Sequence, residues 1–391
     1  YREAQWKRKG SYADFLPSIS ANVNYLTDKK YMLLDTNVGG GDITIPQVVP
    51  STQYSLKAAL PLFDGFSSTL KLESSEALET SALNELEWTR FKINRETVLE
   101  FYKTLAAQVL KEVAEQNLKT LQDHLKDIQA FKKAGVSTNY DVLRVEVQVS
   151  ESSSELLNAE DNLAMARYKL GETLGKDNEI RDLQGNLPVL TESVLNEIRG
   201  EEPFYQRKDL LALQNKSEAI HKHYRAVSKF WSPHLALFAE AHYYNNKNDR
   251  FDDQNSFRNS YLVGVNLTWN LFDGLRSVSF SKETAEQVVQ MDKTLQLKRI
   301  QAKQEYELWK RKYRYFCTVY NSRHRDISRS IEAVRLAKEG RRAGVRTSTD
   351  LLDAESDLFR SKAGQIKAQI GAIEALINLE LVSGQKLYNF N

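Results

Sequence analysis

Four segments of the chain alternate apolar and polar residues with the period of two that is typical of β-strands. They cover about residues 18–27, 52–62, 234–244 and 260–272. In the last segment, Val263 and Val265 fall on one face, whereas Gly264 and Asn266 fall on the other. The sequence therefore predicts four amphipathic strands, each with one apolar and one polar face.

Turn-rich segments separate the two strands of each pair. The first ends near Pro50 and contains Gly39-Gly40-Gly41, and the second runs from Asn245 to Asn259. Neither segment offers an apolar face to bury, and both have the composition of loops. We expect two strand pairs whose members are joined by long loops.

Two very long segments lack both proline and internal glycine, which predicts two long helices over residues 65–134 and 275–340. At about 1.5 Å per residue, each would run on the order of 100 Å. Leu118, Leu121 and Leu125 are spaced by three and four residues, as in the seam of a coiled coil. Such a stripe is typical of a buried helix face and not of cofactor contacts. Return helices are predicted over residues 138–174 and 347–383.

The chain contains an internal repeat with an offset of 209 residues. Leu62-Phe63-Asp64-Gly65 recurs as Leu271-Phe272-Asp273-Gly274, and Ala134-Gly135-Val136 recurs as Ala343-Gly344-Val345. Thr138 and Thr347 match in the same register, with no insertion. A register shared over this length indicates a duplicated unit of strand, strand, long helix and return helix. We therefore divide the chain into a first repeat, residues 1–209, and a second repeat, residues 210–391.

The predicted strands have the length and alternation of transmembrane β-strands. Four strands cannot close a barrel, and open sheet edges are not tolerated in lipid. A membrane location would therefore require several copies, and three copies would supply twelve strands. The alternative is a pair of ordinary amphipathic hairpins on a soluble core.

Composition argues against several classes of function. The 54 basic and 52 acidic residues nearly cancel, so the chain lacks the charge of a nucleic-acid-binding protein. A single cysteine, Cys317, excludes an internal disulfide or a thiolate metal cluster, and we expect it in the core. His221 and His223 are two residues apart on a predicted helix, so they face different directions and make a poor metal pair.

Motifs for chemistry are missing from the sequence as well. It contains no phosphate-binding loop, nucleophile elbow or metalloprotease motif. We therefore expect neither an enzyme nor a bound metal or cofactor. The chain begins at Tyr1 and not at methionine, which fits a processed or trimmed export product.

Over essentially its whole length, this arrangement resembles the TolC family of outer-membrane factors. The most specific motif is the twelve-residue stretch AGVRTSTDLLDA at 343–354, whose counterpart in the first repeat is 134–143. The resemblance implies an α+β membrane protein that forms a homotrimer. Its twelve-stranded outer-membrane β-barrel, with four strands per protomer, would be continued by a twelve-helix periplasmic α-barrel of coiled coils.

The resemblance also implies a function and partners. The trimer would be a passive exit duct in the outer membrane of a Gram-negative bacterium, serving tripartite efflux or type I secretion. A periplasmic adaptor and an inner-membrane transporter would dock at its periplasmic tip, and outer-membrane lipid would surround the barrel. The alternative is a structural or adhesive coiled-coil protein without channel activity, which leaves the duplicated Leu-Phe-Asp-Gly segments unexplained.

Charged residues near the two tip motifs match the family's gate. Asp350 and Asp353 match two acidic rings, Arg346 matches the gate arginine, and Asp141 with Tyr140 falls at the partner positions. Asp350 and Asp353 are three residues apart on one helix face, so threefold symmetry would bring six carboxylates around an axis. Such rings favour cations in a pore. Helix N-terminal capping is the competing role for Asp141 and Asp350.

Two further features of the tip are expected from the resemblance. Arg341 stands where the family has a gate tyrosine, and we expect it to help Arg346 reach Asp141 on a neighbouring hairpin. The adaptor would bind at the two glycine turns, that is, at Gly135, Val136, Gly344 and Val345.

Overall fold

The structure is a computed structural model that describes residues 1–26, 31–48, 52–176, 183–245 and 257–390. It contains two compact units. One comprises Tyr1–Leu83 with Ala212–Leu295, and the other comprises Asn84–Leu211 with Gln296–Asn391. All described strands lie in the first unit, and both turns between a long helix and its return helix lie in the second.

The strands are β1 (Ser18–Tyr25), β2 (Tyr31–Val38), β3 (Gly41–Val48), β4 (Thr52–Phe63), β5 (His234–Asn245) and β6 (Phe257–Thr268). Four of them form an antiparallel sheet in the order β1-β4-β5-β6. The sequence repeat is therefore visible in the sheet, because each repeat supplies two adjacent strands.

Strand register gives this sheet one apolar and one polar face. Ala21 is opposite Leu56, Leu56 is opposite Ala241, and Ala241 is opposite Tyr261, so one apolar row crosses all four strands. The next row along the sheet consists of Asn22, Ser55, His242 and Ser260. Since successive residues of a strand point to opposite faces, the polar row lies on the other side of the sheet.

The prediction of a loop before Pro50 is wrong for residues 31–48. These residues form a second sheet from β2 and β3. A two-residue turn at Gly39 and Gly40 joins these strands, and glycine pairs of this kind favour hairpin turns. Side-chain hydrogen bonds also cross the hairpin, from Thr44 to Asp35 over 2.6 Å. Residues 27–30 and 49–51, and residues 246–256 of the second expected loop, lie outside the described residues.

Six α-helices occur in the described residues: α1 (Arg2–Ser11), α2 (Ser67–Lys133), α3 (Asn139–Thr173), α4 (Lys208–Val227), α5 (Arg276–Arg342) and α6 (Ser348–Ser383). Both α2 and α5 are 67 residues long. None of the helices in the described part of the chain is long and apolar enough to cross a membrane.

The repeated Leu-Phe-Asp-Gly segments lead from a strand into each long helix. Asp64 accepts a hydrogen bond from the amide of Ser68 over 2.7 Å, and Asp273 accepts one from the amide of Ser277 over 3.0 Å. Gly65 has a φ of +71°, and a side chain there would meet Ser232 at 2.4 Å. Strand β6 ends at Thr268, before the expected residue 272, and the segment after it turns towards α5.

The core of the second unit is built around α6. Ile373, Leu376, Ile377 and Leu379 are fully buried there, among residues of α2 and α5. Cys317 is also buried in this cluster, as expected from the sequence.

The segment between α3 and α4 completes this core. It contributes Leu190, Val194 and Phe204, the last two from short 3-10 helices at Glu192–Glu197 and Pro203–Gln206. The hydroxyl of buried Tyr313 donates to the carbonyl of Thr191 over 2.8 Å. The repeat pattern of strands and helices did not predict this packing.

Candidate functional site

Both turns between a long helix and its return helix have the same backbone geometry. In each turn, the valine amide donates to a carbonyl five residues earlier over 2.9 Å. The preceding glycines, Gly135 and Gly344, have φ values of +72° and +74°, which complete a common helix C-terminal motif. The side chains of Val136 and Val345 are 76% and 78% exposed. Each turn therefore presents one apolar side chain on its surface.

A capping box starts each return helix. The amide of Asp141 donates to the hydroxyl of Thr138 over 3.2 Å, and the amide of Thr138 donates to the Asp141 carboxylate over 2.9 Å. Thr347 and Asp350 repeat this arrangement at the start of α6. Asp141 and Asp350 therefore both cap the N-terminus of a return helix.

These caps also keep both carboxylates charged. Hydrogen bonds from the side chain and backbone of Thr138 hold the pKa of Asp141 below its ordinary value. Those from Thr347, backbone first, lower the pKa of Asp350, and the nearby charge of Arg346 adds to the effect. Arg346 itself is exposed. Within one chain it therefore acts on Asp350, and its expected pairing with Asp141 of another hairpin stays a prediction.

Arg341 lies in a half-buried position against α2. Its guanidinium carbon is 5.1 Å from the ring centre of Phe131, and its Nη1 atom is 2.8 Å from Nε2 of His124. Burial lowers the pKa of Arg341, while the charges of Asp127, Glu355 and Asp141 oppose that shift. Of the expected gate residues, Arg341 and Asp141 are thus close enough to interact electrostatically within one chain.

Asp353 has an unexpected partner, Arg144 on α3. Their nearest side-chain atoms are 3.7 Å apart, and Nη1 of Arg144 donates to the hydroxyl of Thr349 over 3.0 Å. Arg144 and Asp353 are separated by 209 residues, so they occupy equivalent positions of the two repeats. Opposite charges at equivalent positions were a sequence signal for this pair. Tyr140, 69% exposed, stands beside the first turn.

No sequence pattern predicted a role for His124, which is buried at the centre of the site. It contacts Arg341 of α5 and both Ser348 and Glu355 of α6. Only the fold could reveal this cluster, because His124 lies more than 200 residues from each of its three partners. Within the described residues, no group of three or more His, Cys, Asp or Glu side chains could hold a metal ion.

Comparisons with known proteins identify the same architecture. The family described as outer membrane efflux protein matches residues 2–176 and 205–385. The outer-membrane channel OprN is 17% identical with a TM-score of 0.77, over 99% of this chain and 85% of that one. VceC from Vibrio cholerae is 14% identical with a TM-score of 0.81, over 99% and 91% of the two chains.

The open state of the MtrE channel from Neisseria gonorrhoeae is 16% identical with a TM-score of 0.74, over 99% of this chain and 84% of that one. At such identities, the likeness to solved structures concerns the fold alone. No curated protein sequence matches the chain.

Proposed function

Because the chain belongs to the outer membrane efflux protein family, we propose that it is the exit duct of a tripartite efflux or type I secretion system, gated at its two helix turns. Family membership makes the protein an outer-membrane transport channel with a periplasmic extension, and not an enzyme. The channel is a trimer that works with other efflux components. An adhesive coiled-coil protein does not account for the match of both halves.

Trimer formation explains the incomplete sheet of one chain. In the family, three copies supply twelve strands to one barrel and twelve helices to another. The outer strands β1 and β6 each have one unpaired edge within the described sheet. Pairing with strands of adjacent copies satisfies these edges, as a barrel in lipid requires.

The observation that carries the proposed gate is the pair of equivalent turns with charged residues on both. Asp350 and Asp353 would form the acidic rings, and the exposed Arg346 would pair with Asp141 of a neighbouring hairpin. Exposed ion pairs contribute about 0 to 1 kcal/mol each, so three copies of two pairs could bias the gate by a few kcal/mol. A docking partner could overcome a bias of that size.

The exposed valines support the proposed docking role of the turns. Val136 and Val345 project from rigid, hydrogen-bonded backbone, so an apolar side chain of an adaptor could pack on them without reordering the turn. The partners would be a periplasmic adaptor and an inner-membrane transporter. In this scheme the transporter selects the cargo and the duct remains passive.

Single-channel recording in planar bilayers tests the gate. Replacing Arg346 and Arg341 by serine should raise the conductance, because the pairs that hold the tip closed are lost. Replacing Asp350 and Asp353 by alanine should reduce cation selectivity and block by multivalent cations. Arg329→Ser is a matched control, since Arg329 is an exposed arginine elsewhere on α5. If the arginine variants conduct no better than the parent, packing and not charge closes the channel.

A further inference from the structure

His124 joins α2 to both helices of the second repeat's hairpin. Its side chain is 3% exposed. Nε2 lies 2.8 Å from Nη1 of Arg341 and 3.1 Å from the hydroxyl of Ser348, and Nδ1 lies 3.2 Å from the carboxylate of Glu355. Arg341 belongs to α5, and the other two partners belong to α6. A single imidazole therefore ties three helices together at this end of the second unit.

The contacts define the protonation state of the ring. A guanidinium group can only donate hydrogen bonds, so Nε2 must present its lone pair to Arg341. The proton of the neutral ring then resides on Nδ1, from which it is donated to Glu355. Both ring nitrogens are thus used, and the arrangement requires a neutral imidazole.

The two repeats differ at this point. In the first repeat, Lys132 donates to Asn139 over 2.7 Å, which closes its own turn. Their equivalents at an offset of 209 residues, Arg341 and Ser348, both contact His124. The basic residue of the second hairpin is therefore anchored on α2, whereas that of the first is anchored within its own hairpin.

We propose that His124 is a positioning residue for Arg341, and that protonation of His124 releases Arg341 and favours the open gate. The inference rests on the proposed function, since it concerns the regulation of the same tip. Arg341 would contribute to closure by holding α5 against α2 through the imidazole. Loss of that contact would free the Arg341 end of α5 to move, while α6 stays bound to the ring through Glu355.

Protonation has a direct effect on the contact. The imidazolium ring carries a hydrogen on both nitrogens, so Nε2 can no longer accept from Arg341. Two cations would then face each other in a site with little solvent, where like charges repel strongly. Glu355 remains a partner for the protonated ring through Nδ1. The released Arg341 is still attracted by Asp127 on α2 and Asp141 on α3.

Two carboxylates of the turns keep their charge while an imidazole titrates. Imidazole side chains titrate between about pH 5 and 8. The carboxylates of Asp141 and Asp350 titrate below their ordinary pKa, so they stay charged throughout that range. A cavity lined by Glu355, Lys338 and Lys362 adjoins the cluster, which gives water a site next to the carboxylate.

Conductance of the full-length trimer in planar bilayers, recorded from pH 8 to pH 5.5, tests the proposal. The parent channel should open several-fold more often at pH 5.5 than at pH 8. His124→Gln should abolish this response, because the glutamine amide can accept from Arg341 and donate to Glu355 but does not titrate. Glu355→Gln should move the response to lower pH, because the imidazolium loses its counter-charge.

His324→Gln is the matched control, because His324 is an exposed histidine of α5 that contacts Gln365. Its pH response should equal that of the parent. A flat parent profile, or a His124→Gln profile identical to the parent's, would overturn the role of His124. If Glu355→Gln is the only cluster variant that assembles, its pH profile decides the test. A midpoint of channel opening equal to the parent's would then also overturn the role of His124. A failure of the proposed gate can be told apart from a failure of the role of His124. If the gate proposal is wrong, Arg346→Ser leaves the conductance at pH 8 unchanged.

Discussion

At the scale of single residues, the carboxylate of Glu380 on α6 is held by contacts on both of its oxygens. Its carboxylate is fully buried and accepts hydrogen bonds from the amides of Leu387 and Tyr388 over 2.7 and 2.9 Å. The other oxygen lies 2.9 Å from Nη1 of Arg95, which is also buried. One carboxylate therefore binds the chain segment after α6 and also neutralises the buried guanidinium of Arg95.

We expect Glu380→Ala to destabilise the protein by about 3–5 kcal/mol, because removal of one partner leaves Arg95 charged and buried. Glu380→Gln should cost less, since its oxygen can still accept from the two amides. The control is Asp357→Ala, which removes an exposed carboxylate of the same helix and should change stability by less than about 0.5 kcal/mol. Denaturant unfolding of the detergent-solubilised trimer measures the difference, and equal midpoints for Glu380→Ala and Asp357→Ala would contradict the expectation.

Part of the candidate site could be predicted from the sequence. Spacing and resemblance placed Asp141 and Asp350 at matching turns, where the structure has capping boxes at both. The repeat register brings Arg144 and Asp353 to equivalent positions, but the register alone does not pair them. The role of His124 could not be predicted from the sequence, because its partners come from two helices more than 200 residues away. A buried polar cluster depends on tertiary packing, which periodicity does not specify.

At the scale of elements, the two return helices begin in the same way. Thr138 and Asp141 exchange hydrogen bonds before α3, as Thr347 and Asp350 do before α6. A capping box satisfies amide groups that have no partner inside the helix. It thereby fixes where the helix starts relative to the exposed valine of the turn.

Loss of the first cap should loosen the start of α3. Thr138→Ala is expected to cost about 1 kcal/mol locally, which corresponds to roughly fivefold faster hydrogen exchange of the first turn. Ser154→Ala, in the exposed middle of α3, should leave that exchange unchanged. Mass-spectrometric hydrogen exchange at neutral pH provides the comparison, and equal protection in the two variants would contradict the structural role of the cap.

The contribution of Asp141 to this cap should depend on pH. Its pKa is lowered in the folded protein, so its stabilisation is present above the unfolded value of about 3.9 and is lost as pH falls through the lower folded value. Asp141→Asn should therefore weaken the helix start at pH 7, and its difference from the parent should shrink below about pH 4.

At the scale of the whole molecule, the repeat was the most informative property of the sequence. Period-two alternation indicated the four strands of the main sheet, and the absence of proline and internal glycine indicated the two long helices. The repeated unit also included the two return helices. The β2–β3 hairpin does not follow from the sequence pattern, because its glycine-rich segment has the composition of a loop, although two glycines also suit a tight hairpin turn. The packing of Leu190 and Phe204 was missed because short 3-10 helices have no extended period.

The two faces of the main sheet lead to a prediction about assembly of the trimer. Val263, near the middle of β6, lies opposite Ala239 and is 70% exposed, whereas its neighbour Leu262 lies opposite Glu240 on the other face. In the outer-membrane barrel, we expect the apolar face to contact lipid. Lysine at mid-membrane on such a face costs about 2–4 kcal/mol, or about 6–12 kcal/mol for three copies.

Val263→Lys should therefore reduce the amount of detergent-extracted trimer recovered from outer membranes. Leu262→Lys is the matched control, since it adds the same charge one residue away, where Glu240 can pair with it, and it should assemble like the parent. Mass measurement in detergent quantifies the trimer of each variant. Equal recovery of the two lysine variants would mean that the face carrying Val263 does not contact lipid, and the assignment of the barrel exterior would then have to be reversed.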